Sequence, residues 1–417
     1  MQFKFIEMTS GLLFWIIIFI IIAEYSIQLV VDTLNAKHFK DTLPKEVVDV
    51  FDEKEYKKSQ AYKMAYYKLG QISGIFNLII ILSLLFFDGF AYLDDVLRQN
   101  LDHEILISLS FFGILYFAND LLKLPFSYYS TFVIEEKFGF NKTTLQTFLL
   151  DQIKSWVLVI FVGGGILALL QWFYLTYPNN FWWYAWLFII AFSLIMNLFY
   201  AQLIVPIFNQ QTPLEDGVLK DKIKAYAAKV NFQITNVFVI DGSKRSSKAN
   251  AYFSGFGKQK RITLYDTLIS DLSQDQVVAV LAHEVGHYKH KHIIYNLVLS
   301  SLLTGFTLYL LSLMINLPIF SEAINASQPS FHIGLVVFSF LYGPISTITG
   351  IMMNVLSRKF EYQADDYAKK TFNADDLIRS LKKLSQKSLS NLTPHQWNVF
   401  LNYSHPPLKD RIKNLLN

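Results

Sequence analysis

Seven stretches of the 417-residue chain are apolar and long enough to cross a membrane, near 11–31, 71–93, 104–126, 154–176, 181–207, 293–317 and 332–356. Each offers the roughly 20 helical residues that about 30 Å of hydrocarbon requires. The apolar run of the first, Leu12 to Ala23, is as short as that of a signal peptide. No small-residue cleavage pattern follows it, and Met1–Ser10 carries one lysine and one glutamate, so a retained helix is expected.

The polar connections between these stretches alternate in charge. Segment 32–70 carries eight lysines and arginines, 123–154 four, 208–292 twelve and 357–417 eleven, whereas 94–103 carries one and 175–181 and 317–331 none. By the positive-inside tendency this predicts seven spans with the N-terminus outside and the C-terminus in the cytoplasm. Four parts result. Residues 1–207 form a five-span membrane region, 208–292 a cytoplasmic segment, 293–356 the sixth and seventh spans, and 357–417 a cytoplasmic C-terminal segment.

Local patterning fills in the polar parts. Asp216–Val230 reads as an amphipathic helix and Asn236–Asp241 as a short strand rich in β-branched and aromatic residues. Asn250–Leu264 reads as a hairpin turning at Gly255-Phe256-Gly257-Lys258. A further helix is expected to start at Ser273, where Ser273 and Gln276 form a capping-box pair and Asp275 suits the positive helix end. The fold class is therefore a mainly α, multi-span membrane protein with a small β-hairpin or sheet.

Composition agrees and narrows the chemistry. Hydrophobic residues make up 53% and charged residues 17%, against about 45–50% and about 25% in soluble domains. The net charge of +4 is spread along the chain, without the basic, aromatic-interleaved patch of a nucleic-acid binder. With no cysteine, disulfides, thiolate ligands and thiol catalysis are excluded. Any metal must be held by nitrogen and oxygen.

Such a set exists. Leu281-Ala282-His283-Glu284-Val285-Gly286-His287 carries H-E-x-x-H on an expected helix. Residues i and i+4 lie one above the other, so His283 and His287 can present imidazoles to one ion. Glu284, beside them, is placed to take a proton from a metal-bound water whose pKa zinc brings to near 7. Gly286 permits close packing between the ligands. A catalytic zinc needs a third protein ligand and an open position. After the seventh span comes S-R-K-F-E-Y-Q-A-D, in which Glu361 and Asp365 share a helix face. Glu361 can ligate while Asp365 accepts a hydrogen bond from a ligand imidazole. A solvated charged helix would show the same i,i+4 spacing, but the H-E-x-x-H on the same membrane side favours the metal reading. Zinc is expected from the motif, although nitrogen and oxygen ligands suit neighbouring metals too.

These residues resemble the type I CAAX prenyl proteases, seven-span zinc proteases of the gluzincin class. The resemblance extends to Glu136-Lys137-Phe138-Gly139-Phe140-Asn141-Lys142-Thr143-Thr144, Pro206-Ile207-Phe208-Asn209, Asn250-Ala251-Tyr252-Phe253 and Ser404-His405-Pro406-Pro407. It implies a chamber enclosed by the seven helices, zinc on its cytoplasmic side, His283, His287 and Glu361 as ligands, and Glu284 as general base and acid. It also implies that Asn250 and His405 face the scissile peptide, where they could hold the substrate backbone or an oxyanion.

Blander readings stand beside these. Asn250 could cap the hairpin, His405 could be a turn residue before two prolines, and Arg411 could be solvated rather than paired near the site. His290 and His292 read as interfacial residues at a helix end, because a metzincin would need histidine at 293. Glu24, costly in lipid, should face the interior or a partner group. The 37 Phe and 23 Tyr read as lipid-facing packing and interface anchors. The expected substrate is a peptide or protein, prenylated if the resemblance extends that far, at a lipid bilayer. The lysine- and phenylalanine-rich chain reads as one of a bacterial inner membrane, an endoplasmic reticulum being expected only if it is eukaryotic, and in a bacterium proteolysis of membrane or exported proteins is the expectation. An HtpX-like quality-control protease is the nearest alternative, disfavoured by the long N-terminal membrane half. A site-2-type protease would bury its motif within a span. A non-catalytic scaffold would have lost Glu284 or a ligand.

Overall fold

A computed structural model of the protein describes residues 9–233, 236–254 and 261–417. Seven helices among these residues are long and apolar enough to cross a membrane. They are α1 (Ser10–Lys37), α2 (Glu53–Phe86), α4 (Glu104–Phe138), α5 (Leu145–Thr176), α6 (Phe181–Leu203), α9 (His292–Met314) and α10 (Phe331–Thr371). Between α2 and α4 lies α3 (Gly89–Asn100).

Several elements outrun the apolar windows that announce them. Helix α2 starts at its Asp52–Glu55 capping box, so the charged stretch 53–70 is the first half of the second span's helix. It stops at Phe86, short of residue 93, because Asp88 adopts a positive φ of 54° and turns the chain into α3. Helix α10, capped by Ser330, runs 41 residues and carries the seventh span directly into the Glu361–Asp365 segment.

The polar parts assemble around a four-stranded sheet of β1 (Gln211–Pro213), β2 (Asn236–Ile240), β3 (Ala251–Ser254) and β4 (Arg261–Tyr265), in the order β1-β2-β4-β3. β3 and β4 pair antiparallel, as the hairpin reading requires, although its turn lies outside the described residues. The parallel β2–β4 pair and the antiparallel β1–β2 pair have no counterpart in the sequence reading. The expected amphipathic helix is α7 (Val218–Lys229), and the motif helix is α8 (Gln274–Lys289), with the Ser273–Gln276 capping box in place. Helices α11 (Ala374–Lys387), α12 (Gln396–Asn402) and α13 (Leu408–Leu416) complete the chain.

Two buried cores hold the molecule at opposite ends. One joins Val277, Leu281 and Val285 of α8 to Ile223, Leu264, Leu377 and Ile412. The other joins Ile17, Phe111, Phe181, Phe320 and Ile333 at the far end of the bundle. That far core contains a buried polar cluster, in which His332 bridges Asp94 (2.7 Å) and Ser108 (2.8 Å) and Arg98 pairs with Asp94 (2.9 Å). Glu24 packs against α10 where Gly343 leaves room, since a Cβ there would lie 2.3 Å from its Oε1. It turns towards α10 but meets no partner group there, its Oε1 being buried without a hydrogen bond among the described residues.

Candidate metal centre and active site

Helix α8 makes its most extensive contact with α10, and the closest approach falls beside the motif. A Cβ on Gly286 would lie 2.9 Å from the Ala364 Cα and 3.0 Å from its carbonyl oxygen, so only glycine fits between the ligands. That contact sets Glu361 across from the two histidines. His283 Nε2 and His287 Nε2 lie 3.2 Å apart, His287 Nε2 lies 3.3 Å from Glu361 Oε1, and His283 Nε2 lies 3.5 Å from Glu361 Oε2.

The triangle can be tested against a metal. Donors about 2.0–2.1 Å from a tetrahedral zinc stand about 3.4 Å from one another. The His–His distance matches, and each imidazole lies at a similar distance from one carboxylate oxygen, His287 from Oε1 and His283 from Oε2. Glu361 Oε2 is buried and accepts no hydrogen bond among the described residues, its neighbours being the cationic Arg411 Nη1 at 3.3 Å and His283 Nε2 at 3.5 Å, which leaves it room to bind an ion. The donor set of two imidazoles and one carboxylate suits a divalent first-row metal.

Around the triangle the groups are ordered by hydrogen bonds. Asp365 is fully buried, and its Oδ1 lies 2.9 Å from His283 Nδ1, so it accepts the Nδ1 proton and leaves Nε2 free to ligate. Arg411, 9% exposed, forks onto Asp365 through Nε (2.8 Å) and Nη2 (2.5 Å) and reaches Glu361 Oε2 with Nη1 (3.3 Å). It is not a solvated residue; it neutralises the buried carboxylates. Burial acts to lower the His283 pKa, but hydrogen bonds to Asp365 and Glu361 prevail and raise it to about 9.

A cavity of about 290 Å³ brings the expected residues together: Asn250, His283, Glu284, His287, Glu361, His405 and Arg411 all line it. His405 follows α12, and its Nε2 lies 3.3 Å from Glu361 Oε1 while most of the ring is exposed. Asn250 precedes β3, the edge strand, with its carbonyl accepting from Tyr265 N (3.1 Å) and its Oδ1 from Ala251 N (2.9 Å). It thus extends the hairpin and also borders the metal cavity. A second cavity of about 990 Å³, lined by Asn250, Tyr252 and residues of α6 including Phe192 and Tyr200, opens on its other side.

Two features escaped the sequence reading. The loop leading to Asn250 is anchored by Arg245, which forks onto Asp151 (2.7 and 2.8 Å), and by Lys248, which reaches Glu135 (3.0 Å) and Tyr62 (2.8 Å). Partners scattered over four segments, three charged sites and one tyrosine, gave no pattern to read. His292 is the second. His290 is exposed at the end of α8, as an interfacial residue should be, but His292 is only 2% exposed. Lys291, in the left-handed region at φ 60°, turns the chain so that the His292 Nδ1 lies 3.0 Å from the His287 Nδ1. The available signal was its place five residues after His287.

Comparison with known proteins gives the same picture. A family model for the five membrane helices of the CAAX prenyl protease N-terminal region matches residues 32–210, and one for peptidase family M48 matches residues 213–417. A CAAX prenyl protease 1 homolog of Oryza sativa subsp. japonica is 37% identical over 90% of each chain. CAAX prenyl protease 1 of Saccharomyces cerevisiae is 36% identical, over 94% of this chain and 93% of that one. The homolog of Homo sapiens is 33% identical, over 89% and 88%. The crystal structure of S. mikatae Ste24p, 34% identical, superposes with a TM-score of 0.92 over 97% of this chain and 99% of that chain. With its seven spans and its two-helix triangle of metal donors, the chain belongs to peptidase family M48 as a multi-pass membrane metalloprotease similar to the CAAX prenyl protease 1 proteins.

Proposed function

We propose that the protein is a zinc endopeptidase that cuts near a C-terminus at the cytoplasmic membrane surface, with prenylated C-a-a-X chains as substrates. The observation that carries the chemistry is the grouping of His283, His287 and Glu361, whose imidazole nitrogens stand 3.2 Å apart and 3.3–3.5 Å from the Glu361 carboxylate, a spacing that suits tetrahedral zinc. Zinc held there supplies Lewis acidity, bringing the pKa of water to near 7.

The remaining steps belong to the protein's own groups. Glu284, in the cavity wall, takes the proton of the attacking water and delivers it to the leaving amine. His405, exposed and beside Glu361, donates to the carbonyl oxygen as negative charge develops on it. The edge strand β3 offers its free side to an extended peptide, so residues 249–251 hold the main chain while Asn250 holds a backbone group. Asp365 and Arg411 keep His283 in the ligating tautomer.

The substrate reading rests on relatives named as CAAX prenyl proteases. The charge alternation of the connections supports an orientation with the N-terminus outside and the zinc site in the cytoplasm.

The test is cleavage by the detergent-purified protein of a farnesylated C-a-a-X peptide and of an unprenylated membrane-protein fragment, beside Glu284→Gln, with metal assayed in both proteins. Wild type should hold about one zinc and cut the farnesylated peptide. The variant should hold the same zinc and not cut. Preference for the unprenylated fragment overturns the substrate reading, and cleavage by the variant overturns the role of Glu284.

A further inference from the structure

The two imidazoles of the metal triangle are backed by different chemistry. A histidine that ligates through Nε2 carries its proton on Nδ1 and needs an acceptor there. His283 has the Asp365 carboxylate. Among the described residues no carboxylate faces that position of His287. Its Nδ1 faces the Nδ1 of His292 at 3.0 Å.

Two nitrogens at that distance share one proton, and ligation by His287 through Nε2 decides which of them carries it. With His287 ligating, its Nδ1 holds the proton and His292 Nδ1 is the bare acceptor. His292 then carries its own proton on Nε2, where Gln363 Oε1 accepts it at 2.8 Å. The reverse assignment fails twice. It puts the His287 proton on the nitrogen that should ligate, and it sets a bare His292 Nε2 against a bare carbonyl oxygen.

The surroundings hold this arrangement in place. His292 is 2% exposed and stacks on Phe360, with ring centroids 4.1 Å apart and planes 10° from parallel. Phe360 and Gln363 flank Glu361 on α10, so the helix that supplies the third ligand also orients the group behind the second.

We propose that His292 is a positioning residue, oriented by Gln363, that accepts from His287 Nδ1 and so holds His287 in its ligating tautomer. The proposal rests on His283, His287 and Glu361 being the metal ligands. Loss of such an outer partner costs about 10- to 100-fold in metal affinity.

The test is the zinc affinity of the detergent-purified full chain, measured by competition with a chromogenic chelator. His292→Phe keeps a ring to stack on Phe360 but offers no acceptor. His292→Asn gives up the stack but places an amide oxygen near the former Nδ1. The expected result is a loss of about 10- to 100-fold for His292→Phe, with His292→Asn within about threefold of wild type. Gln363→Leu, which frees His292 to adopt the wrong tautomer, should weaken zinc in the same direction. Wild-type affinity in His292→Phe overturns the proposal, as do equal losses in His292→Phe and His292→Asn, which would make the residue a packing element. His283→Ala separates this failure from that of the metal reading. If His283→Ala loses zinc while His292→Phe keeps it, only the relay fails; if His283→Ala keeps zinc, the ligand set itself fails.

Discussion

Substituting Gly286 by alanine should disable the metal centre while sparing the fold. The added Cβ would sit 2.9 Å from Ala364 Cα, 3.0 Å from Ala364 O and 3.1 Å from Tyr367 Cβ. Carbon–carbon contacts relax to about 3.5–4.0 Å, and two of the opposing atoms are backbone that cannot rotate away. Helices α8 and α10 must therefore part by about 0.6–1 Å. Ala364 lies three residues from Glu361 and one from Asp365, so the displacement falls on the site. The His–Glu edges, now 3.3 and 3.5 Å, would open beyond the spacing of about 3.4 Å that tetrahedral zinc requires. Overpacking costs about 1–3 kcal/mol, and alanine returns about 1 kcal/mol of helix propensity. Net destabilisation is thus about 0–2 kcal/mol, a shift of a few degrees in thermal midpoint. Misplacement by about 1 Å can cost about 100-fold in rate, and zinc affinity should fall by about tenfold or more. Chelator competition, peptide cleavage and a thermal melt on the same detergent preparation measure all three. Wild-type zinc affinity and turnover in Gly286→Ala would refute the argument that helix proximity sets the ligand triangle.

Removing the metal should make stability depend on pH through His283. Its pKa is raised to about 9 against about 6.5 in the unfolded chain, so its contribution is fully present below about 6.5 and lost as pH rises through about 9. The thermal midpoint of chelated protein should fall across that window and that of zinc-loaded protein should not; a flat profile after chelation counts against the hydrogen bonding assigned to His283. Arg411→Met strands Asp365 in the interior and should cost about 3–5 kcal/mol. Arg411→Lys keeps the charge without the fork and should cost less stability yet weaken zinc by about tenfold, both read by melts and chelator competition. Asp94→Leu breaks the buried cluster with His332 and Arg98, and should lower stability by about 3–5 kcal/mol while zinc affinity stays at the wild-type value. The reason is distance: His332 and Glu361 are 29 residues apart on α10, roughly 44 Å of helix.

The parts of this protein that could be read from its sequence are those governed by local periodicity. Span number follows from runs of apolar residues, and all seven expected spans have a helix. The start of α8 follows from Ser273 and Gln276, and the ligand pair from the i,i+4 spacing of His283 and His287. Helix ends were less legible, because a charged stretch such as 53–70 has no apolar signal even though α2 runs through it unbroken. The parallel pairing of β2 with β4 joins segments more than twenty residues apart and leaves no trace in either strand. His292 fell to the same difficulty. By position it is a polar residue at a helix end, and only the φ of 60° at Lys291 turns it back towards His287.

Helix α10 explains why one change can be felt in the membrane and the site together. Its first half buries Phe331, Ile333 and Val337 in the far core, and its last turns hold Glu361, Gln363 and Asp365 around the metal triangle. A helix of 41 residues transmits displacement along its axis, since sliding it moves ligand and span as one body. The ligands on α8 sit in the other core, with Val277, Leu281 and Val285. The triangle therefore closes only where two separately anchored bodies meet, and the bare backbone of Gly286 against Ala364 is that meeting point. Three partners then resist sliding: Asp365 behind His283, Arg411 across Asp365 and Glu361, and His292 between His287 and Gln363. Each ties α10 to an element outside it, so the site's geometry comes from side-chain contacts between elements distant in sequence rather than from the motif alone.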